Sequence, residues 1–166
     1  EETVAGEAVL TLGAGAPGDR RLVYVARDAS EEAENLVTQI GHFGYHVELF
    51  RTPDELFSAV ERQVPFAIVT DTAFDSGDMA GIEAVERIGV AIDNDIPVFF
   101  ISGQDDITAR LRAVRAGGRA WLGRPVDIGS LVDRLDAVSA VEPPEPFRVL
   151  VVDDEEVMTE YYRAIL

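Results

Sequence analysis

Apolar segments alternate with amphipathic ones along most of this chain. Five short segments rich in apolar residues predict strands; they are 22–26, 45–50, 66–70, 96–101 and 119–122. The segment 22–26 is continuously apolar, as is typical of a strand covered on both faces of a sheet. Between and after these segments, apolar residues recur three and four positions apart, which predicts five helices that each bury one face. The alternation predicts an α/β fold, a doubly wound, five-stranded parallel sheet with helices on both faces.

The predicted helices carry apolar markers and capping signals. The markers are Ala33, Leu36, Val37 and Ile40; Leu56, Ala59 and Val60; Ile82, Val85 and Ile88; Ile107, Leu111 and Val114; and Ile128, Leu131, Val132, Leu135 and Val138. Ser30 precedes an acidic first turn, and Thr52-Pro53-Asp54-Glu55 is a capping box with proline in the first turn. The pair Asp105-Asp106 is expected to cap the fourth helix.

The chain divides into four segments by composition and repetition. We expect a flexible N-terminal segment at 1–19, a domain at 20–140, a proline-rich linker at 141–146 and the start of a second domain at 147–166. The last segment repeats the apolar strand, acidic corner and helix start of the first domain. We therefore expect two tandem domains in a longer protein, with the second nearly all missing from this sequence.

Composition and charge narrow the function classes. The 166 residues include 31 acidic and 14 basic side chains, all 14 of them arginine, for a net charge of −17. A surface this negative repels a phosphate backbone, so direct nucleic-acid binding is not expected. The absence of cysteine excludes disulfides and thiolate sites. No apolar run approaches the length of a membrane span, and the start makes a poor signal peptide, so we expect a cytoplasmic protein.

Polar side chains follow several predicted strands at their carboxyl ends. Arg27 and Asp28 follow the first strand, Asp71 the third, Ser102 the fourth and Arg124 the fifth. In an open parallel sheet, ligands bind outside the carboxyl ends of the strands. Two acids, a hydroxyl and a cation are therefore expected to converge on one crevice.

These residues stand in an ordered set of motifs. The set comprises Asp28, Ile68-Val69-Thr70-Asp71, the segment 96–103, Ala116-Gly117-Gly118 and Arg124-Pro125. With it, the sequence resembles the receiver domain of bacterial two-component response regulators over residues 20–140. The segment 147–166 resembles the start of a second receiver domain. The resemblance implies the flavodoxin-like receiver fold.

The resemblance also implies a phosphorylation site. Asp71 takes the position of the phosphoacceptor, which receives a phosphoryl group from a histidine kinase or phosphotransfer protein. Asp28, Asp71 and the backbone carbonyl of Ala73 take the positions that hold Mg²⁺. A carboxylate can form an acyl phosphate, and Mg²⁺ prefers carboxylate, water and phosphate oxygens.

Three further positions match the family's response to phosphorylation. The resemblance assigns Ser102 and Arg124 to sensing of the phosphoryl oxygens and Trp121 to the aromatic switch. Each has a simpler interpretation as well. Ser102 can be a cap at the approach to a helix, and Trp121 can be core filler.

The sequence departs from the family at the first strand. Arg27 stands where receivers carry the first of two acids, and its guanidinium can pair with Asp71 or Asp28. Two arginines against two aspartates leave no charge for Mg²⁺ to neutralise, so weak Mg²⁺ binding is expected. The second copy keeps both acids, as Asp153 and Asp154.

Three functions compete. The first is a pseudo-receiver, not an enzyme, with impaired phosphorylation. It serves dimerisation or docking through the fourth helix, fifth strand and fifth helix, and regulates an output domain such as a diguanylate cyclase. The second is an ordinary receiver phosphorylated on Asp71. The third is a small phosphatase, which is disfavoured because Ala73 stands where its second catalytic acid is needed.

Overall fold

The computed structural model of the chain describes residues 11–12, 21–92, 95–103 and 106–139. The strands are β1 (Thr11–Leu12), β2 (Leu22–Ala26), β3 (His46–Phe50), β4 (Ala67–Asp71), β5 (Val98–Ser102) and β6 (Gly118–Gly123). The helices are α1 (Glu31–His42), α2 (Pro53–Arg62), α3 (Ala80–Ala91), α4 (Ile107–Arg115) and α5 (Ile128–Ser139). The sheet order is β1-β3-β2-β4-β5-β6. The predicted five-stranded parallel sheet is confirmed as β2 to β6.

The strand β1 adds a sixth member at one edge of the sheet. Thr11 and Leu12 pair antiparallel with Glu48 and Val47 of β3. The hydrophobic pattern does not predict this strand, because two residues are too few to show a period of two. Within the segment 1–19, which is expected to be flexible, these two residues therefore extend the sheet.

Helices cover both faces of the sheet, each over its own hydrophobic cluster. In β2, Tyr24 belongs to the cluster under α2, α3 and α4, and Val23 and Val25 belong to the cluster under α1 and α5. Every residue of β2, β4 and β5 is buried. Successive side chains point to opposite faces, so continuously apolar strands supply both cores. The doubly wound arrangement follows from this pattern.

The predicted helix starts are observed where the structure describes them. The Ser30 hydroxyl accepts a hydrogen bond from the Ala33 amide at 3.2 Å. Thr52 and Glu55 form both halves of the capping box. Asp106 caps α4 by accepting from the Thr108 amide at 2.8 Å. Each cap satisfies an amide that has no partner within its own helix.

The helix α4 buries a different face from the one its large apolar residues mark. Ile107, Leu111 and Val114 are 74%, 56% and 63% exposed, whereas Ala109 and Ala113 are buried. The cause is a close approach to the sheet. A Cβ at Gly118 of β6 would lie 2.8 Å from the Ala113 carbonyl oxygen, so only small residues fit on the inner side of α4. The expectation that the three large residues face the core is corrected.

Other predictions concern residues outside the described part of the chain. They are the linker 141–146 and the second domain 147–166 with Asp153 and Asp154; Asp105 lies outside as well. Within the described residues, no helix has the length and apolar character that a membrane crossing requires.

Candidate functional site at the carboxyl end of the sheet

The carboxyl ends of the parallel strands bring the predicted polar residues to one edge of the sheet. Asp71 is the last residue of β4 and is paired with Ile101 of β5. Arg27 directly follows β2, and its amide donates to the Phe50 carbonyl at 3.0 Å. Because β2 and β4 are neighbours in the sheet, their ends place Arg27 beside Asp71.

Two guanidinium groups converge on one oxygen of Asp71. The Oδ2 atom lies 3.1 Å from Nε of Arg27 and 2.8 Å from Nη2 of Arg124. The side chains of Asp71 and Arg27 are 3% and 4% exposed, while that of Arg124 is 41% exposed. Of the two partners that the sequence leaves open for Arg27, the structure pairs it with Asp71.

The other oxygen of Asp71 has a different environment. Oδ1 is buried and has no hydrogen-bond partner among the described residues. Burial raises the pKa of the Asp71 carboxyl, and the charges and hydrogen bonds of Arg27 and Arg124 offset only part of that rise. Burial therefore destabilises the charged form of the Asp71 carboxyl group, and the two neighbouring cations stabilise it.

The start of α3 packs directly against Asp71. The Gly81 amide donates to the Thr72 carbonyl at 3.1 Å. A Cβ at Gly81 would lie 1.9 Å from the backbone oxygen of Asp71, so a residue without a side chain is required there. This close approach holds the start of α3 against the backbone at the end of β4.

The remaining predicted residues divide between separate cavities. Ala73, Ser102 and Arg124 line a cavity of about 340 Å³ in front of the strand ends. Asp28 is half-buried and lines another cavity, between the start of α2 and α3. Trp121 is half-buried and lines a third cavity, against α4. Ser102 itself is buried.

The contacts of Asp71 work against a magnesium site at these positions. Oδ2 of Asp71, one of the oxygens that the metal ion would need, is engaged by two cations. Mg²⁺ requires oxygen ligands close together in octahedral geometry. Within the described residues, no cluster of three histidine or acidic side chains is placed to hold a metal ion.

Two residues near Asp71 and Arg27 are not found by sequence reasoning. Glu32 of α1 lies 3.7 Å from Nη2 of Arg27, although its sequence context indicates only a solvated first turn. Gly81 carries no signal beyond its residue type, because its role depends on contact with a distant strand. The only sequence signal for the Glu32 contact is its short spacing from Arg27 across the turn between β2 and α1.

The geometry defines a class of protein, one with a single aspartate at the end of the middle strand of a doubly wound sheet, flanked by a hydroxyl and a cation. The chain matches the model of the response regulator receiver domain over residues 23–136. It belongs to that family. Receiver domains are regulatory domains that interact with histidine kinases or phosphotransfer proteins, and generally bind Mg²⁺ at the phosphorylation site.

Curated relatives share about a quarter of their aligned residues with this chain. The response regulator protein TodT of Pseudomonas putida (strain DOT-T1E) is 24% identical over 124 residues, 75% of this chain and 53% of that protein. The response regulator MprA of Mycobacterium leprae (strain TN) is 27% identical over 112 residues, 68% of this chain and 48% of that protein. The chain spans about half the length of these relatives.

Solved structures share the fold. The receiver domain of the Francisella response regulator 1452 is similar, with a TM-score of 0.65 at 19% identity, covering 72% of this chain and 96% of that one. The signal receiver domain of a modulated diguanylate cyclase from Desulfovibrio desulfuricans G20 has a TM-score of 0.63 at 23% identity, covering 71% and 92%. The beryllofluoride-activated NtrC4 receiver domain dimer has a TM-score of 0.64 at 19% identity, covering 71% and 95%.

Proposed function

We propose that this chain is a cytoplasmic pseudo-receiver, a receiver domain that acts by docking and takes little or no part in Mg²⁺-dependent phosphorylation. The observation that carries the proposal is the double ion pair on Asp71. Oδ2 of Asp71 accepts from Arg27 at 3.1 Å and lies 2.8 Å from Arg124. Arg27 thus supplies, from within the chain, the positive charge that a metal ion supplies in a phosphorylated receiver.

The positive charges of Arg27 and Arg124 are the reason that we expect weak metal binding. A divalent cation placed beside Asp71 would meet two guanidinium groups within a few ångströms. Repulsion between like charges is strong where burial excludes water. Exchanging the arginines for a metal would also leave Arg27, which is 4% exposed, as a buried and unpaired cation. We therefore expect Mg²⁺ to bind weakly.

Access to the carboxylate is also restricted. The Asp71 side chain is 3% exposed, and Gly81 packs against its backbone. In-line attack on a phosphohistidine needs an approach path to a carboxylate oxygen. Arg27 and Arg124 would have to move before a donor domain could reach Oδ2.

The test uses the single tryptophan, Trp121, as a reporter. The protein is titrated with Mg²⁺ in the presence of beryllofluoride, a phosphoryl analogue, while tryptophan fluorescence is followed. We expect no saturable change up to about 10 mM Mg²⁺, because the acid pair that holds the ion is incomplete. A saturable change at millimolar Mg²⁺ would overturn the proposal.

The second candidate is an ordinary phosphorylatable receiver. One observation favours it, namely that Oδ1 of Asp71 has no hydrogen-bond partner among the described residues and so keeps its lone pairs for a phosphoryl group. Incubation with a small phosphodonor separates the two candidates. An acyl phosphate on Asp71, seen as a mass increase that Asp71→Asn abolishes, supports the ordinary switch.

We propose that the α4–β6–α5 face is the docking surface and that its occupant is a second copy of the chain. Ile107, Leu111 and Val114 form an exposed apolar stripe on α4, and α4 carries arginines but no acid. The neighbouring α5 exposes Asp133, whereas Asp136 accepts a hydrogen bond from Tyr45. A two-fold dimer would bring the basic helix of each copy to the acidic helix of the other. Sedimentation equilibrium tests it; a monomer at 100 µM, on the order of 10⁻⁴ M, contradicts it.

In the parent protein, we propose that phosphorylation belongs to the second receiver. Asp153 and Asp154 keep the acid pair that Arg27 interrupts in the first. A diguanylate cyclase is our candidate output domain, and one solved receiver of similar fold comes from such a protein. Phosphotransfer to the full-length protein, mapped by mass spectrometry, should label the second domain and spare Asp71.

A further inference from the structure

A groove of about 190 Å³ lies between α1 and the turn that leads into α5. Four α1 residues at helical spacing form one wall, namely Glu32, Asn35, Leu36 and Gln39. Val126 and Ile128 form the other wall. Arg27 and Arg124 also line the groove, so the guanidinium groups that hold Asp71 on one side border this groove on the other.

Arg27 has donors to spare on the groove side. Its side chain is 4% exposed, and Nε donates the one hydrogen bond that it makes to the described residues, at 3.1 Å to Asp71. A guanidinium carries five donors. Its Nη2 atom lies 3.7 Å from the Glu32 carboxylate, and the Glu32 side chain is 76% exposed. This distance is too long for a hydrogen bond and water screens the exposed carboxylate, so a buried cation has a loosely held carboxylate as its second partner.

The lining has the composition of a small-molecule site. Arg27, Arg124 and Glu32 supply charge, Asn35 and Gln39 supply amides, and Leu36, Val126 and Ile128 supply apolar surface. Sites for small molecules combine apolar walls with a few polar groups that fix orientation. The volume is below the about 300–1,000 Å³ of drug-sized sites, which restricts the occupant to a small molecule.

We propose that this groove, the α1–α5 groove, binds a small organic monocarboxylate. Its carboxylate replaces that of Glu32 beside the Arg27 guanidinium and also binds Arg124, and its apolar body lies along Leu36, Val126 and Ile128. Arginine is suited to carboxylates because its donors match the two oxygens. A phosphate ion would match the charge but would leave the apolar walls unused.

The ligand and Asp71 share one cation. A carboxylate on the groove side of Arg27 competes with Asp71 for the same positive charge, and the coupling is reciprocal. Removing the Asp71 charge should therefore tighten ligand binding. The regulatory role, in which the receiver responds to a small anion in place of a phosphoryl group, rests on the proposed function. The binding itself depends only on the groove.

Benzoate is the probe. Benzamide, its uncharged counterpart, tests the need for charge, and inorganic phosphate, an anion without an apolar part, tests the need for apolar contact. Methyl NMR of the full 166-residue chain should show saturable shifts at Leu36, Val126 and Ile128 with benzoate. Benzamide and phosphate should bind at least about tenfold more weakly, the effect of losing a charge-assisted contact or the apolar contact. Equal binding of benzoate and benzamide, shifts elsewhere, or no saturation would each overturn the proposal.

Variants separate the groove from general charge effects. Glu32→Gln should tighten benzoate binding by roughly two- to fivefold, the scale of an exposed ion pair, and Asp71→Asn should tighten it as well. Arg124→Gln should weaken it, and Arg27→Gln should abolish it if that variant folds. Arg134→Gln, an exposed arginine of α5 outside the groove, is the matched control and should leave binding unchanged; an equal loss there contradicts the proposal.

Failure of this inference is distinct from failure of the proposed function. If benzoate does not bind and Trp121 fluorescence still does not respond to Mg²⁺ with beryllofluoride, the binding site in the groove is disproved and the pseudo-receiver function stands. If Trp121 responds and benzoate still binds, the pseudo-receiver function is disproved and the binding site stands.

Discussion

Arg27 and Asp71 form a buried ion pair across two neighbouring strands, with Nε of the arginine 3.1 Å from Oδ2 of the aspartate and both side chains almost fully enclosed. The pair lies at the position that defines the receiver family's chemistry. Burying two charges is costly, and the attraction between them offsets that cost only when the geometry is good and other partners are present. Arg124 supplies one such partner for Asp71.

The first prediction restores the acid pair. Arg27→Asp removes one of the two cations from Asp71 and adds a carboxylate at the end of β2. We expect this variant to gain a saturable Trp121 fluorescence response to Mg²⁺ with beryllofluoride, because two acids can then share a metal ion. Arg27→Gln, which removes the cation without adding an acid, is the control and should respond weakly. A silent Arg27→Asp that still unfolds cooperatively would mean that the arginine is not what blocks the site.

The second prediction concerns pH. Burial raises the folded-state pKa of Asp71 above its unfolded value, so the folded state binds the proton more tightly and this group stabilises the fold most at low pH. That contribution is lost as the pH rises through the raised pKa. Compared with Asp71→Asn, the wild type should therefore lose free energy of unfolding as the pH increases above about 4. Urea denaturation between acid and neutral pH measures the difference.

Glu86 provides a control of opposite sign. Its hydrogen bond to Arg112 lowers the pKa of the Glu86 carboxyl, and the two nitrogen–oxygen distances are 2.8 and 2.7 Å. Its stabilising contribution is present above the ordinary pKa of about 4.3 and lost as the pH falls. The advantage of the wild type over Glu86→Gln should thus shrink on acidification. Parallel slopes for the two variants would contradict the assignment for Asp71.

The third prediction tests the close approach of α3 to β4. Gly81→Ala places a methyl group 1.9 Å from the Asp71 backbone oxygen, so α3 must shift. We expect a loss of about 1–3 kcal/mol in the free energy of unfolding, typical of overpacking. Gly89→Ala is the matched control in the same helix, since nothing lies within 4 Å of its added Cβ. Gly89→Ala should stabilise the protein by about 0.4–1 kcal/mol. A loss of stability in both variants would mean that α3 does not tolerate alanine at its glycines, and not that the contact at Gly81 is special.

The fourth prediction separates the exposed face of α4 from the core. Leu111 is 56% exposed, so Leu111→Ala should change the free energy of unfolding by no more than about 0.5 kcal/mol. It should nevertheless weaken self-association in sedimentation experiments if the α4 face is the dimer interface. Leu131→Ala, at a fully buried position of α5, should cost about 2–5 kcal/mol. Unchanged association of Leu111→Ala, together with a dimeric wild type, would move the interface elsewhere.

The hydrophobic pattern was sufficient for the fold because the three central strands, β2, β4 and β5, are buried on both faces. Segments such as 22–26 and 96–101 leave few alternatives to central parallel strands, and local caps at Ser30 and Thr52 place the helix starts. The hydrophobic pattern did not determine the orientation of α4. Its sequence has two apolar stripes at helical spacing, one of large and one of small residues, and the close contact at Gly118 allows only the small residues to face the sheet.

The sequence by itself determined the α/β architecture and the identity of the residues at the strand ends, since periodicity and strand direction are local properties that topology then collects at one edge. Only the tertiary structure decided that Arg27 pairs with Asp71 and that α3 approaches the Asp71 backbone so closely that Gly81 is required. Those relations join residues far apart in the chain, and their distances depend on how helices pack on the sheet. No spacing along the sequence encodes them.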